Sequence, residues 1–194
     1  MLDRKREATK LKIKENFAKL ILEKGFESLT VSDVARSSKI NRGTFYLHYL
    51  DKYDLLQQLE DELLAGFKET FEGKGASRPT HERHFMSYEI IMNSLHYALD
   101  NYLMIRALIS ERGDFGFIED FKLLLRNHLR KKAIYFPTIN SMFGDIPMDY
   151  AEEILLSRTT SILLLWLKKG SVEPPELIAN LIIKAATAPP MTSS

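Results

Sequence analysis

Between Leu29 and Leu56 the chain reads LTVSDVARSSKINRGTFYLHYLDKYDLL, and the side chains gathered there suit a nucleic-acid duplex better than catalysis. The guanidinium of Arg42 can pair two-pronged with guanine, and the Thr44 methyl can touch thymine. Gly43 lets the backbone come close to a partner. With Tyr46 and Leu47 these residues would share the outer surface of one short helix. Tyr46, His48, Tyr49 and Lys52 are spaced to hold phosphates beside a groove, contacts that position a protein without reading sequence. Thr30, Ser32 and Lys39 complete the candidate contacts, and helix starts at Thr30 and Lys52 would turn N–H groups toward an anion.

Such a surface needs short helices held at a fixed angle. Ile13, Phe17, Leu20 and Ile21 repeat at helical spacing and predict an amphipathic first helix, stopped by Gly25. Thr30 followed by Asp33 has the form of a capping box and predicts a second helix to about Ser37. Ser38-Lys39-Ile40 makes the turn, with Ile40 returning to the core, and Asn41 caps a third helix whose anchor is Phe45. Asp51 caps a fourth. Two short helices joined by a tight turn are the form in which a second helix enters the major groove.

On these residues the segment resembles the DNA-binding domain of the TetR family of bacterial transcription regulators. The resemblance rests on Gly25-Phe26, Leu29-Thr30-Val31, Val34-Ala35, Ile40, Arg42-Gly43-Thr44-Phe45-Tyr46, His48-Tyr49, Lys52 and Leu55, and covers residues 7–67. It implies that Thr30, Arg42, Thr44, Tyr46, His48, Tyr49 and Lys52 meet DNA. One departure is Lys39, where the family usually has glycine; a left-handed Lys costs roughly 1 kcal/mol there, which a phosphate contact could return.

The chain has 194 residues and a net charge of only +1. Its distribution is uneven. Residues 1–52 hold 12 Lys and Arg against 7 Asp and Glu, and the remainder holds 15 against 19. A basic third on an acidic body fits a DNA-reading head, although an unevenly solvated surface is the plainer alternative. There is no cysteine, which excludes disulfides, a thiolate nucleophile and Cys-based zinc sites. The charged start MLDRKREATKLK is no signal peptide, and the strongest apolar run, 162–167, is too short to span a bilayer. A cytoplasmic protein without a membrane partner is expected.

No strand pattern stands out, so the expected fold is all-α: a three-helix N-terminal domain over 7–67, with the helix-turn-helix at 30–49, and about six further helices over 68–188. The predicted helices run from Asp51 to Glu72, His81 to Asp100, Tyr102 to Ser110, Glu119 to Tyr135, Asp149 to Lys169 and Pro174 to Ala186; GKGASRPT and FPTINSMFGDIP read as loops. The last two helices carry more apolar surface than one inner face needs: Ile154, Leu155, Ile162, Leu163, Leu165 and Trp166, then Leu177, Ile178, Leu181, Ile182 and Ile183. Excess of this kind points to a homodimer, against burial wholly within one subunit. A two-fold dimer would read a palindromic operator.

A small lipophilic effector is expected among the middle helices, with Met92, His96, Tyr102, Met104, Phe121 and Trp166 as its candidate pocket; the plainer reading of each is core packing. His81 and His84 alone make a weak metal signal, and no metal or other cofactor is expected. The run Leu165-Trp166-Leu167-Lys168-Lys169-Gly170 with Pro175-Glu176 is similar to the ends of TetR-like regulators of dihydroxyacetone kinase operons, whose members include activators. The leading function is therefore a ligand-responsive dimeric repressor. The alternatives are an activator of the same family, a helical protein-interaction module and a helical enzyme or carrier. No Gly-rich phosphate loop, HExxH or G-x-S-x-G supports the last, so no enzyme is expected.

Overall fold

The structure, a computed structural model, describes residues 2–73, 87–114, 116–132 and 135–188. Every regular element among them is a helix: α1 (Leu2–Lys24), α2 (Val31–Ser37), α3 (Arg42–Tyr46), α4 (Lys52–Glu72), α5 (Tyr88–Asp100), α6 (Tyr102–Leu108), α7 (Gly116–Arg130), α8 (Tyr135–Phe143), α9 (Met148–Lys168) and α10 (Pro175–Thr187). The all-α expectation, three short-domain helices and about six later ones, matches this order.

Contacts divide the chain into two compact units, 1–65 with 101–118 and 66–100 with 119–194. The division does not follow the contiguous boundary expected at residue 67, because α6 and the bend after it pack on α1. The Phe26 N–H donates to the Arg112 carbonyl at 3.0 Å, and the Arg112 guanidinium donates to the Glu23 carbonyl at 3.0 Å. Gly113 permits this bend. A Cβ there would lie 2.2 Å from the Leu108 carbonyl oxygen and 2.3 Å from that of Ala107, so the backbone would have to move.

In the first unit, Ile13, Phe17, Ala18 and Ile21 of α1 are buried with Val34, Ala35 and Phe45. Gly25 ends α1 in the left-handed region, φ +85°, with its N–H on the Ile21 carbonyl at 2.8 Å. In the second unit, residues 135–143 form a helix where a loop was expected. Pro137 lies in its first turn, where no N–H is needed, so it does not break the helix. Ile139 and Phe143, four apart, supply the buried stripe, and Gly144 at φ +58° ends it. Helix α7 starts earlier than expected because the Asp114 carboxylate accepts the Gly116 N–H at 2.9 Å. His81, His84 and the start of the helix expected from His81 lie outside the described residues.

Gly113→Ala should lower stability by roughly 1–3 kcal/mol through the forced backbone shift. Urea unfolding of the two proteins side by side would measure it; equal midpoints would mean that the bend relaxes freely.

Candidate nucleic-acid interface

Helix α2 starts as a capping box. The Thr30 Oγ1 accepts the Asp33 N–H at 3.2 Å, while the Asp33 carboxylate accepts the Thr30 N–H at 3.1 Å and the Thr30 hydroxyl at 2.7 Å. Lys24 at the end of α1 pairs with the same carboxylate at 2.8 Å, tying the two helices. The Lys24 contact, then the Thr30 hydroxyl, hold the Asp33 carboxyl well below the usual carboxylate range. Ser37 reaches back to Asn16 of α1, donating at 2.8 Å.

The turn closes with the Ile40 N–H on the Ala35 carbonyl at 3.0 Å. That six-to-one bond needs a left-handed residue, and Lys39 supplies it at φ 53° instead of the usual glycine. Lys39 is exposed and Ile40 half-buried. Asn41 then caps α3 by accepting the Thr44 N–H at 2.7 Å. Phe45 is fully buried, so it fixes which face of α3 looks outward. Arg42 and Gly43 are exposed, Thr44 is half-buried, and Tyr46 and Leu47 are 51% and 74% exposed.

The flanking residues divide. Thr30 is exposed and Ser32 half-buried. Tyr49, expected at a phosphate, is a core residue at 2% exposure, its ring 5.6 Å from that of Phe45. Burial pushes its phenol well above the usual range. Lys52, also expected at a phosphate, is a structural clamp. Its Nζ donates to the Phe26 carbonyl at 3.1 Å and the Glu27 carbonyl at 3.0 Å, and lies 4.7 Å and 5.1 Å from the Phe26 and Tyr53 ring centres. The start of α4 offers less to an anion than expected. The Asp51 carboxylate accepts the Tyr53 and Asp54 N–H groups at 2.8 and 2.9 Å, and the Asp54 carboxylate accepts that of Leu50 at 2.7 Å.

His48 is half-buried, and its Nδ1 has no hydrogen-bond partner among the described residues. Burial, then the nearby Arg6 and Lys10 cations of α1, push its imidazole below the usual range, so it is neutral near pH 7. Arg6 and Lys10, with Glu7 opposing them, thus lie within electrostatic reach of His48 just after α3, a placement that the residue-by-residue reading missed. The basic start of the chain was its only trace in the sequence.

This arrangement can place one exposed polar and aromatic helix face against a duplex, with cations at its edge. Residues 18–59 match the family described as "Bacterial regulatory proteins, tetR family", and residues 86–188 match the "Transcriptional regulator C-terminal region". The chain belongs to the TetR family of bacterial transcriptional regulators. It is 29% identical over 186 residues to the Uncharacterized HTH-type transcriptional regulator YxbF of Bacillus subtilis (strain 168). That match covers 92% of this chain but only 44% of the relative, so the chain spans less than half the relative's length. A solved TetR transcriptional regulator from Streptococcus agalactiae 2603V shares 26% identity at a TM-score of 0.59, covering 95% of this chain and 96% of that one. The TetR family regulator PfmR from Thermus thermophilus shares the fold at TM-score 0.59 and 19% identity, covering 89% of this chain and 97% of that one. In this TetR-family chain the family match at 18–59 spans the whole helix-turn-helix.

The second unit of the TetR-family chain holds a small apolar cavity of about 50 Å³, partly open to solvent. Of the six residues expected to line a pocket, Phe121 lines this cavity, with Phe71, Ile91, Leu125, Leu163 and Ile182 among its neighbours. His96 is exposed and Met92 half-buried on α5, and neither lines the cavity. Tyr102 and Met104 belong to α6 in the first unit. Trp166 is buried at 2% exposure and donates its indole N–H to the Glu173 carbonyl at 2.9 Å, a lock on the end of α9. The cavity's hydroxyls face away from any guest: Ser94, Thr159 and Thr160 donate to the helix carbonyls of Ile90, Leu156 and Leu156 at 2.9, 2.9 and 2.8 Å. His128, missed in sequence, packs its ring 5.1 Å from Phe71, and burial, then Lys132 and Lys131, push its imidazole down to about 4. Among the described residues no three His, Asp or Glu side chains converge on a metal position, and no helix is long and apolar enough to cross a membrane.

Asp33 stabilises the folded state because its folded pKa lies below its unfolded one. That contribution is complete above the ordinary carboxylate range and is lost as pH falls through it. Wild-type protein should therefore lose more stability than Asp33→Asn from about pH 5 downward, while Asp33→Asn is the weaker at neutral pH. Denaturant unfolding at a series of pH values would show parallel curves if the Lys24–Asp33–Thr30 cluster contributed nothing.

Proposed function

We propose that the protein is a ligand-responsive dimeric repressor that binds a palindromic operator through α3. The observation that carries the DNA-contact assignment is the anchored orientation of α3: with Phe45 buried and Asn41 capping, Arg42, Thr44, Tyr46 and Leu47 are left on its outer side. Arg42, Thr44 and Leu47 meet base edges in this reading, Tyr46 and Thr30 support the backbone, and Arg6, Lys10 and Lys39 supply cations toward phosphates. Lys52 and Tyr49 act by holding α3 and α4 in place.

The dimer reading rests on α9 and α10. Leu165, at 60% exposure, and Leu177 and Leu181 stay open on these helices, and Ile162 and Ile183 are half-buried beside them. An apolar stripe of this kind on a soluble chain fits a second copy of the same face. The effector reading rests on the cavity. Its apolar walls, with the hydroxyls turned away onto helix carbonyls, favour a small, uncharged, lipophilic molecule. Such a ligand would regulate DNA affinity only by favouring one arrangement of the DNA-binding heads.

Leu165→Glu combined with Leu181→Glu should give a folded monomer in sedimentation experiments, and operator affinity should fall with dimerisation; an unchanged dimer would reject this face. Arg42→Ala and Tyr46→Ala should each weaken binding to a duplex chosen by genomic selection by about 1–3 kcal/mol, without lowering the unfolding midpoint. Wild-type affinity in gel shifts of both variants would show that α3 does not face DNA as described.

A further inference from the structure

Asn41 caps α3, yet its hydrogen bonds fix more than the helix start. Its Oδ1 accepts the Thr44 N–H at 2.7 Å and the Thr44 hydroxyl at 3.0 Å. An amide oxygen has two lone pairs and no proton, so these two donors use its accepting capacity. They also fix which way round the amide sits, because a backbone N–H can be met only by the oxygen. The Nδ2 group, with two hydrogens to give, is turned from the cap; none of its hydrogen bonds is seen among the described residues, and Asn41 is exposed. Thr44 is constrained in the opposite sense. Its hydroxyl proton is given to Asn41, so toward any partner its oxygen can only accept.

Gly43 supplies an independent observation. A Cβ at this position would sit 3.3 Å from the Asn41 Oδ1 and would meet nothing else within 4 Å. A side chain there would press on the capping oxygen and cover an otherwise open surface. Glycine keeps the pair in place and uncovered.

We propose that Asn41 and Thr44 form a fixed donor–acceptor pair that reads base edges in the major groove. The proposal rests on the assignment of α3 to DNA. Asn41 Nδ2 donates to a base acceptor, such as guanine O6 or N7 or thymine O4, and Thr44 Oγ1 accepts from the exocyclic amine of adenine or cytosine. The usual two-point pairing of Asn with adenine is closed to Asn41, since that pairing needs the oxygen the cap already holds. Asn41 is thus a specificity-determining residue that its role as a cap conceals.

Two variants separate reading from folding. Asn41→Asp keeps an oxygen for both capping bonds and is an equally good cap, but replaces two donors with an anion. Thr44→Val keeps the methyl and the backbone N–H but removes the accepting oxygen. Wild-type protein is first used to select a preferred duplex from a random library. Both variants are then measured for thermal unfolding, for affinity to that duplex and by selection of their own. Asn41→Asp should unfold like wild type, bind the selected duplex about tenfold or more weakly, and shift its preference at one position per half-site toward cytosine, whose amine can donate to a carboxylate. Thr44→Val should relax preference at a different position. If both variants keep wild-type affinity and preference, the pair is overturned while the DNA reading stands. Weakening by the same factor on every duplex would mean a phosphate contact and would also overturn base reading. A wild-type protein that selects no duplex would overturn the DNA reading and the pair together.

Discussion

A helix of five residues cannot hold itself together, and α3 is that short. Its geometry is imposed from outside. Asn41 satisfies its first turn, Phe45 pins one side into the core, and the Ile40-to-Ala35 bond sets the angle at which it leaves α2. Because these constraints consume one side of the helix, the remaining side chains have nowhere to go but outward. The exposed face exists as a consequence of the anchoring, and the surface proposed to read a groove follows from the same bonds that make α3 fold.

Support for this small device spreads backward along the chain. Lys52 clamps the segment between α1 and α2 through two carbonyls, Lys24 ties α1 to the α2 cap, and Arg112 reaches from the bend after α6 to the last turn of α1. Three cations whose types suit DNA phosphates are thus used within the protein, on carbonyls and a carboxylate. Arg6 and Lys10, near the start of α1, act instead on His48, with Glu7 opposing them.

Caps and stops were legible in the sequence because their chemistry is local. Thr30, Asn41, Asp51 and Gly25 each act within four residues of themselves, and all mark helix ends in the structure. Phe45 was legible as an anchor from the spacing of its neighbours. Partnership across the chain was not. Nothing near Lys52 announces that Phe26 and Glu27 will offer it carbonyls, and nothing near Tyr49 separates a core tyrosine from a phosphate ligand. The same limit applies at the cavity: helical spacing marked Trp166 and Met92 as apolar-facing without showing which helix they face, and of the expected lining Phe121 is the residue that meets this cavity. Pro137 misled for the opposite reason, since a local breaker is harmless in a first turn.

The absence of cysteine from the sequence allows the outward face of α3 to be mapped chemically without background. Single replacements Tyr46→Cys and Leu47→Cys, with Val172→Cys in the second unit as an exposed control, would be labelled with a maleimide in the presence and absence of the selected duplex. The account expects fast labelling of all three in free protein, and protection by the duplex at 46 and 47 alone. Bound complex in which positions 46 and 47 label as fast as in free protein would contradict it.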